Sequence, residues 1–296
     1  MKRRNDEEKK SRKLLRKIKN IIAVMGIITG MVCSGLFVNA QENRGNTAYG
    51  EKGILDILSS PFGAEEEKII GTDNRELVAN TEIAPYRYIG LLVTKYESGE
   101  VVNGTGFLVG ESTLLTAAHC VYKPGDEVKS IIFYPGQNGT EKPFGKYTVS
   151  NVHVPTKYKQ AAKAENVTMV EKYDYALLEL SKKAGNKLGY FKLGGYKTEY
   201  NINNLTNKTM VLTGYPGHMG KVQYKHRAKI KGFNEDGYLI YYTMDATDGQ
   251  SGSPIYKYMD GDFYVVGIHR GEKTGKNMNQ GRYITKNVYE LVEKYN

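Results

Sequence analysis

Thr113-Leu114-Leu115-Thr116-Ala117-Ala118-His119-Cys120 is a short apolar run that ends on a histidine, with Gly110-Glu111-Ser112 just before it. It is too short for a stable helix, and its flanking turn residues mark it as a buried strand. The same rhythm continues on both sides. Tyr88–Lys95, Gly106–Val109, Thr113–Ala117, Ser130–Tyr134, Tyr147–Val152 and Tyr175–Leu180 read as strands. So do Thr209–Thr213, Lys221–Gly232, Tyr238–Met244, Ser253–Tyr256, Phe263–Ile268 and Gly281–Ile284. Many short strands with Gly, Pro and Asn between them indicate an all-β antiparallel sandwich or barrel pair, not βαβ units. Only Lys286–Lys294 reads as a helix, because Val288, Leu291, Val292 and Tyr295 recur at i, i+3, i+4 and i+7.

The chain of 296 residues is 40% hydrophobic and 25% charged, an ordinary globular composition. The net charge of +10 is unevenly distributed. Residues 1–40 carry ten basic against three acidic side chains, residues 41–68 three against six, and residues 69–296 twenty-nine against twenty-three. The last part has no dense basic block, so nucleic acid is not an expected partner.

The first part is basic and runs into the apolar stretch Ile21 to Val38, ending in Val38-Asn39-Ala40. Residues 1–40 are therefore expected to be a signal peptide cleaved before Gln41, which directs the chain to the extracellular space. An uncleaved anchor is the alternative, since the run is near the ~18-residue lower limit for spanning. With the signal cleaved, no stable membrane association is expected. Residues 41–68 end in Glu65-Glu66-Glu67-Lys68, look like a propeptide, and make Lys68-Ile69 a candidate processing bond. An arm that is never cut is the other reading. Cys33 would leave with the signal, so Cys120 stands alone and no internal disulfide is expected. Its apolar neighbours suggest a buried, inert thiol.

Three segments carry chemistry: Thr116-Ala117-Ala118-His119-Cys120, Tyr173-Asp174-Tyr175-Ala176-Leu177-Leu178, and Asp248-Gly249-Gln250-Ser251-Gly252-Ser253-Pro254. Each alone is an ordinary strand boundary. Together they supply a histidine, an acid and a glycine-flanked serine. A serine hydroxyl needs an imidazole to take its proton. The imidazole needs a carboxylate to fix its tautomer. A developing oxyanion needs backbone N–H donors, and a glycine two residues before the serine lets the backbone turn inward.

These three blocks resemble the triad blocks of chymotrypsin-fold serine proteases. With Asp73-Asn74-Arg75, Pro135-Gly136-Gln137-Asn138-Gly139-Thr140, Gly214-Tyr215-Pro216-Gly217 and Arg282-Tyr283-Ile284-Thr285-Lys286, residues 69–296 are similar to the secreted bacterial glutamyl endopeptidases of the V8 type. The resemblance implies two antiparallel six-stranded β-barrels with a cleft between them and a C-terminal helix. It implies that Ser251 is the nucleophile, His119 the general base and acid, and Asp174 its orienting acid, with the N–H groups of Gly249 and Ser251 forming the oxyanion hole. It also implies a zymogen whose mature chain begins at Ile69, with Ile70 as the alternative, and a preference for glutamate at P1.

In that family a histidine matching His269 receives the P1 carboxylate, and the new α-amino group adds positive charge. Two positions depart from the pattern: Ala246 stands where Thr or Ser is usual, with Thr247 adjacent, and Asp248 where Gly is usual. A carboxylate at the pocket mouth repels an acidic P1 side chain by roughly 1 kcal/mol, and Arg270 is a candidate to offset it. His153, His218 and His226 lack metal-ligand spacing, so no transition metal and no cofactor is expected. Surface carboxylates leave a structural calcium open. The expected partners are protein or peptide substrates and an activating protease, with the enzyme a monomer. The competing readings are a catalytically silent protein-binding module of the same fold, a protease whose P1 specificity Ala246 and Asp248 have altered, and a hydrolase centred on Cys120.

Overall fold

The computed structural model describes residues 68–296 except 197, 199 and 200. The expected signal peptide, Cys33 and the propeptide other than Lys68 lie outside the described residues.

After a two-residue strand β1 (Glu76–Leu77), six strands form the first barrel. They are β2 (Ile89–Tyr96), β3 (Val101–Leu108), β4 (Thr113–Thr116), β5 (Val128–Pro135), β6 (Tyr147–His153) and β7 (Ala176–Leu180). The ladder runs β2-β3-β4-β7-β6-β5 and closes on itself. Every pairing in it is antiparallel. Its interior is apolar, with Leu92, Phe107, Leu114, Leu115, Phe133 and Leu177 all buried. Closure removes the unpaired edges that a short sheet would otherwise expose.

A short parallel strand β8 (Lys192–Leu193) leads into six more: β9 (Thr209–Gly214), β10 (Tyr224–Phe233), β11 (Leu239–Tyr242), β12 (Pro254–Met259), β13 (Asp262–Glu272) and β14 (Asn279–Tyr283). They run β9-β10-β11-β14-β13-β12, and β12 pairs back onto β9, closing a second six-stranded antiparallel barrel. β1 adds to β10 from outside.

The sequence reading of an all-β barrel pair thus matches the architecture, but three details differ. Two helices between β6 and β7 went unread: α1 (Thr156–Lys163) and α2 (Val167–Tyr173). Their buried residues Tyr158, Ala161, Ala162, Val170 and Tyr173 recur at i+3 and i+4, and the Asn166 side chain accepts from Met169 N at the α2 start. Second, β3 begins at Val101, earlier than its Asn-Gly-Thr-Gly run suggests. A Cβ on Gly104 would lie 2.9 Å from Cys120 Sγ, so close approach and not a turn explains this glycine. Third, β14 is wholly buried although it reads Asn279-Gln280-Gly281-Arg282-Tyr283. Two short helices lie earlier in the chain, α3 (Ala184–Leu188) after β7 and α4 (Ile202–Leu205) after β8. The expected C-terminal helix forms as α5 (Lys286–Tyr295), burying Val288 and Val292. Among the described residues no helix is long and apolar enough to cross a membrane.

Candidate active site

β4 ends at Thr116, and the chain turns through a single 3-10 turn, Ala118–Cys120, that carries His119. Asp174 sits where α2 ends and β7 begins. Because β4 pairs with β7, with Thr116 opposite Ala176, the two strand ends bring these residues together. His119 N donates to Asp174 Oδ1 at 3.0 Å, and His119 Nδ1 lies 2.7 Å from Oδ2. An ionised carboxylate only accepts, so Nδ1 carries the proton and Nε2 is left as the basic nitrogen. Nε2 is buried and has no hydrogen-bond partner among the described residues.

Burial opposes charge on both groups, but their mutual attraction outweighs it. The carboxylate, through its charge and hydrogen bond, holds His119 well above the ordinary imidazole value. Asp174 is held below the ordinary carboxylate value by the His119 charge and hydrogen bond and then by Arg270, against the upward push of burial.

The serine loop comes from the second barrel, between β11 and β12. Its backbone lies against the strand ends that carry His119. Thr105 N donates to Ser251 O at 2.8 Å, and Cys120 Sγ is 3.6 Å from the same carbonyl. A Cβ on Gly252 would fall 2.1 Å from Thr105 O and 2.3 Å from Thr116 Oγ1, so only glycine fits there. Gly249 has φ +94°, and a Cβ on it would meet Tyr215 O at 2.6 Å. The Asp248 carbonyl accepts from Gly217 N at 2.6 Å. Across a trans peptide the N–H points opposite to the C=O, so the Gly249 N–H is aimed away from Gly217. Ser251 and Gly249 are half-buried and Asp248 is exposed, so the loop is open to solvent.

Around this loop the sequence-predicted specificity residues gather. His269 is buried; its N–H donates to Ser253 O at 2.8 Å and its carbonyl accepts from Gly252 N at 2.9 Å. Its Nδ1 is 2.5 Å from Tyr242 Oη, and Tyr242 Oη donates to Gln280 O at 2.9 Å. The single phenolic proton is thereby committed, so His269 Nδ1–H is the donor toward Tyr242. Ala246 is buried and its N–H donates to Lys68 O at 3.3 Å, which places Ile69 beside this wall. Thr247 Oγ1 accepts from Arg75 Nη1 at 2.6 Å. The offset to Asp248 expected from Arg270 does not arise: Arg270 is fully buried, with Nε 3.2 Å from Asp174 Oδ2.

Several contributors were invisible in the sequence because their partners lie far along the chain. Thr105 Oγ1 accepts from Tyr215 N and donates to Gly249 O, both at 3.0 Å, tying the first barrel to the serine loop. The Arg75 side chain, nearly buried, also donates to Gln250 Oε1 at 2.7 Å. Buried Asp245 accepts from Ile70 N at 2.7 Å and Asn74 N at 2.9 Å. Asn279 brackets Lys68, accepting from its N–H and donating to its carbonyl. The one local signal is Asp73-Asn74-Arg75, which matches the family but does not by itself reveal these contacts. Cys120 is a free, buried thiol. His153 pairs with Glu179 and stacks on Tyr295.

The trypsin-like peptidase domain family matches residues 104–268. The glutamyl endopeptidase of Bacillus licheniformis is 31% identical over 238 residues, 77% of this chain and 69% of that protein. A protein of Bacillus subtilis (strain 168) named extracellular metalloprotease is 30% identical over 259 residues, 85% of this chain and 77% of its own length. Among the described residues of the present chain, no group of three or more His, Cys, Asp or Glu side chains could hold a metal ion. A solved structure of a Glu endopeptidase in complex with MPD superposes with a TM-score of 0.64 at 28% identity, covering 77% of this chain and 99% of that one. The protease Anisep from Arthrobacter nicotinovorans, at 18% identity and a TM-score of 0.59, shares the fold. The chain belongs to the trypsin-like peptidase family, among the serine proteases of its glutamyl endopeptidase, V8-like branch.

Proposed function

We propose that the chain is an exported serine endopeptidase, made as a zymogen, that cleaves protein or peptide substrates after glutamate. The observation that carries the reading is the buried His119–Asp174 pair, with Nε2 left basic, lying beside the Ser251 loop. Ser251 Oγ attacks the scissile carbonyl as Nε2 takes its proton. The N–H groups of Gly249 and Ser251 receive the developing oxyanion, and the imidazolium, held by Asp174, protonates the leaving amine. Water then repeats the sequence and releases the acid.

The glutamate preference is supported by the His269–Tyr242–Gln280 chain. With Nδ1–H committed to Tyr242, Nε2 carries a proton only in the charged ring, which suits a carboxylate. The mature α-amino group of Ile69 would add charge beside Ala246, where the usual hydroxyl is missing. Two processing events are part of the reading: signal cleavage before Gln41 and release of residues 41–68.

Fluorogenic peptides differing only at P1 test it with protein processed at Lys68-Ile69. Cleavage after Glu should exceed that after Lys or Leu, and His269→Ala should cost about tenfold or more in kcat/KM on Glu substrates alone. A preference for basic or apolar P1 residues, unchanged by His269→Ala, would overturn the glutamate assignment.

A further inference from the structure

β13 is interrupted where it passes the site. His269 stands opposite Gly281 and Gly271 opposite Gln280, so Arg270 is the extra residue of a β-bulge. A bulge re-aims the side chain it carries. Here the Arg270 side chain turns inward, fully buried, until Nε is 3.2 Å from Asp174 Oδ2. That is the same oxygen that His119 Nδ1 approaches at 2.7 Å. On its other side Arg270 Nη1 lies 3.5 Å from Glu171 Oε1, and Glu171 Oε1 also accepts from Gln280 Nε2 at 2.8 Å.

We propose that Arg270 is a positioning residue for the catalytic pair: it shares Asp174 Oδ2 with His119, holds the carboxylate ionised and in place, and moderates its pull on the imidazole. This rests on the serine protease reading and adds to it a control over the pH at which the base becomes available. A buried carboxylate facing only an imidazole would favour the imidazolium so strongly that the base would be protonated well into the neutral range. A fixed guanidinium on the same oxygen removes part of that pull while keeping the carboxylate charged.

The groups that face the pair come from every packed element. They are Cys120 from the turn carrying His119, Tyr158 from α1 and Arg270 from β13, with Glu171 of α2 set behind Arg270. Tyr158 is neutral, its hydroxyl pushed upward mainly by burial. Arg270 and Glu171 are therefore the two fixed charges of opposite effect, and they give two substitutions with opposite expected signs.

The test is the acid limb of the kcat/KM–pH profile of the processed enzyme, with the His119 ring titrated by NMR in parallel. Arg270→Met keeps the stem and removes the charge; it should move the acid limb up by about one pH unit, a loss of about tenfold at the foot of the limb. Arg270→Lys should return the limb toward its original position. Glu171→Gln, at a partly exposed side chain, should move the limb down. If Arg270→Met fails to fold, the Glu171→Gln direction and the NMR titration decide. A limb that keeps its position while the plateau falls would show Arg270 to be only a packing element and overturn the proposal. So would an upward shift in Glu171→Gln. Because the NMR titration needs no turnover, a protein that fails to hydrolyse peptides yet shows these His119 shifts would contradict the proposed function and not the role of Arg270.

Discussion

Within the first barrel, Phe107, Leu114, Leu115, Phe133, Leu177 and Leu178 meet in an apolar interior, and the buried His119–Asp174 pair stands at its rim. The second barrel has an apolar core of its own around Leu212, Ile230, Ile240 and Ile255, but also buries Asp245, Gln250, His269, Arg270, Asn279, Gln280 and Arg282. Each of these residues has at least one polar contact: Arg282 donates to the carbonyls of Tyr238 and Tyr283, and Asn279 to those of Lys68 and Met244. Burial pushes the Arg282 guanidinium down to about 10. One barrel is an apolar platform that holds the proposed base; the other accepts the cost of buried polarity to hold the Ser251 loop.

The substitutions that probe this contrast differ widely in size. Ser251→Ala should abolish about a million-fold of turnover while leaving the melting temperature nearly unchanged. An active Ser251→Ala protein would break the division at once. Leu115→Ala should destabilise the first barrel by about 2–5 kcal/mol, read from denaturant unfolding. Arg282→Met should cost less, about 1–3 kcal/mol, because it removes hydrogen bonds to two carbonyls that each keep a backbone donor, instead of opening an apolar cavity. Equal losses would mean that the two interiors are not as different as their chemistry implies.

Thr105→Val removes the hydroxyl that joins the barrels at Gly249 O. It should lower kcat by about tenfold, with KM little changed, since a bond of about 1 kcal/mol net is lost and an acceptor is left bare. The pH profile follows from the direction of the His119 shift. The base works only when neutral, and Asp174 favours its charged form, so kcat/KM should rise with pH through a value above the ordinary imidazole value of about 6.5. The complementary stability effect has the opposite sense: the raised His119 contributes stability at low pH that is lost as pH rises through its folded value. Smallest is Asp248→Gly, which should improve Glu-P1 cleavage by about fivefold if the exposed carboxylate repels by about 1 kcal/mol.

The first barrel was largely legible in the sequence because its strands alternate or run apolar over a few residues, as Thr113–Thr116 and Ala176–Leu180 do. The second was legible as strands but not as an interior. Asn279-Gln280-Gly281-Arg282 has no apolar pattern to read, and its burial is set by contacts with Lys68, Glu171 and Tyr238 far along the chain. The same holds at the site. His119, Asp174 and Ser251 stand out by local motif, whereas Thr105, Arg75 and Arg270 act through partners 96 to 175 positions away. Helices α1 and α2 were missed because their apolar periodicity is short and built on alanine and tyrosine.

The proposed function requires that a hydroxyl of the second barrel be activated by an imidazole of the first. Treating processed protein with a fluorophosphonate and mapping the adduct by mass spectrometry tests it most directly. One adduct, on Ser251, is expected, and it should be lost in His119→Ala. An adduct elsewhere, or one on Ser251 that forms as fast without His119, would contradict it.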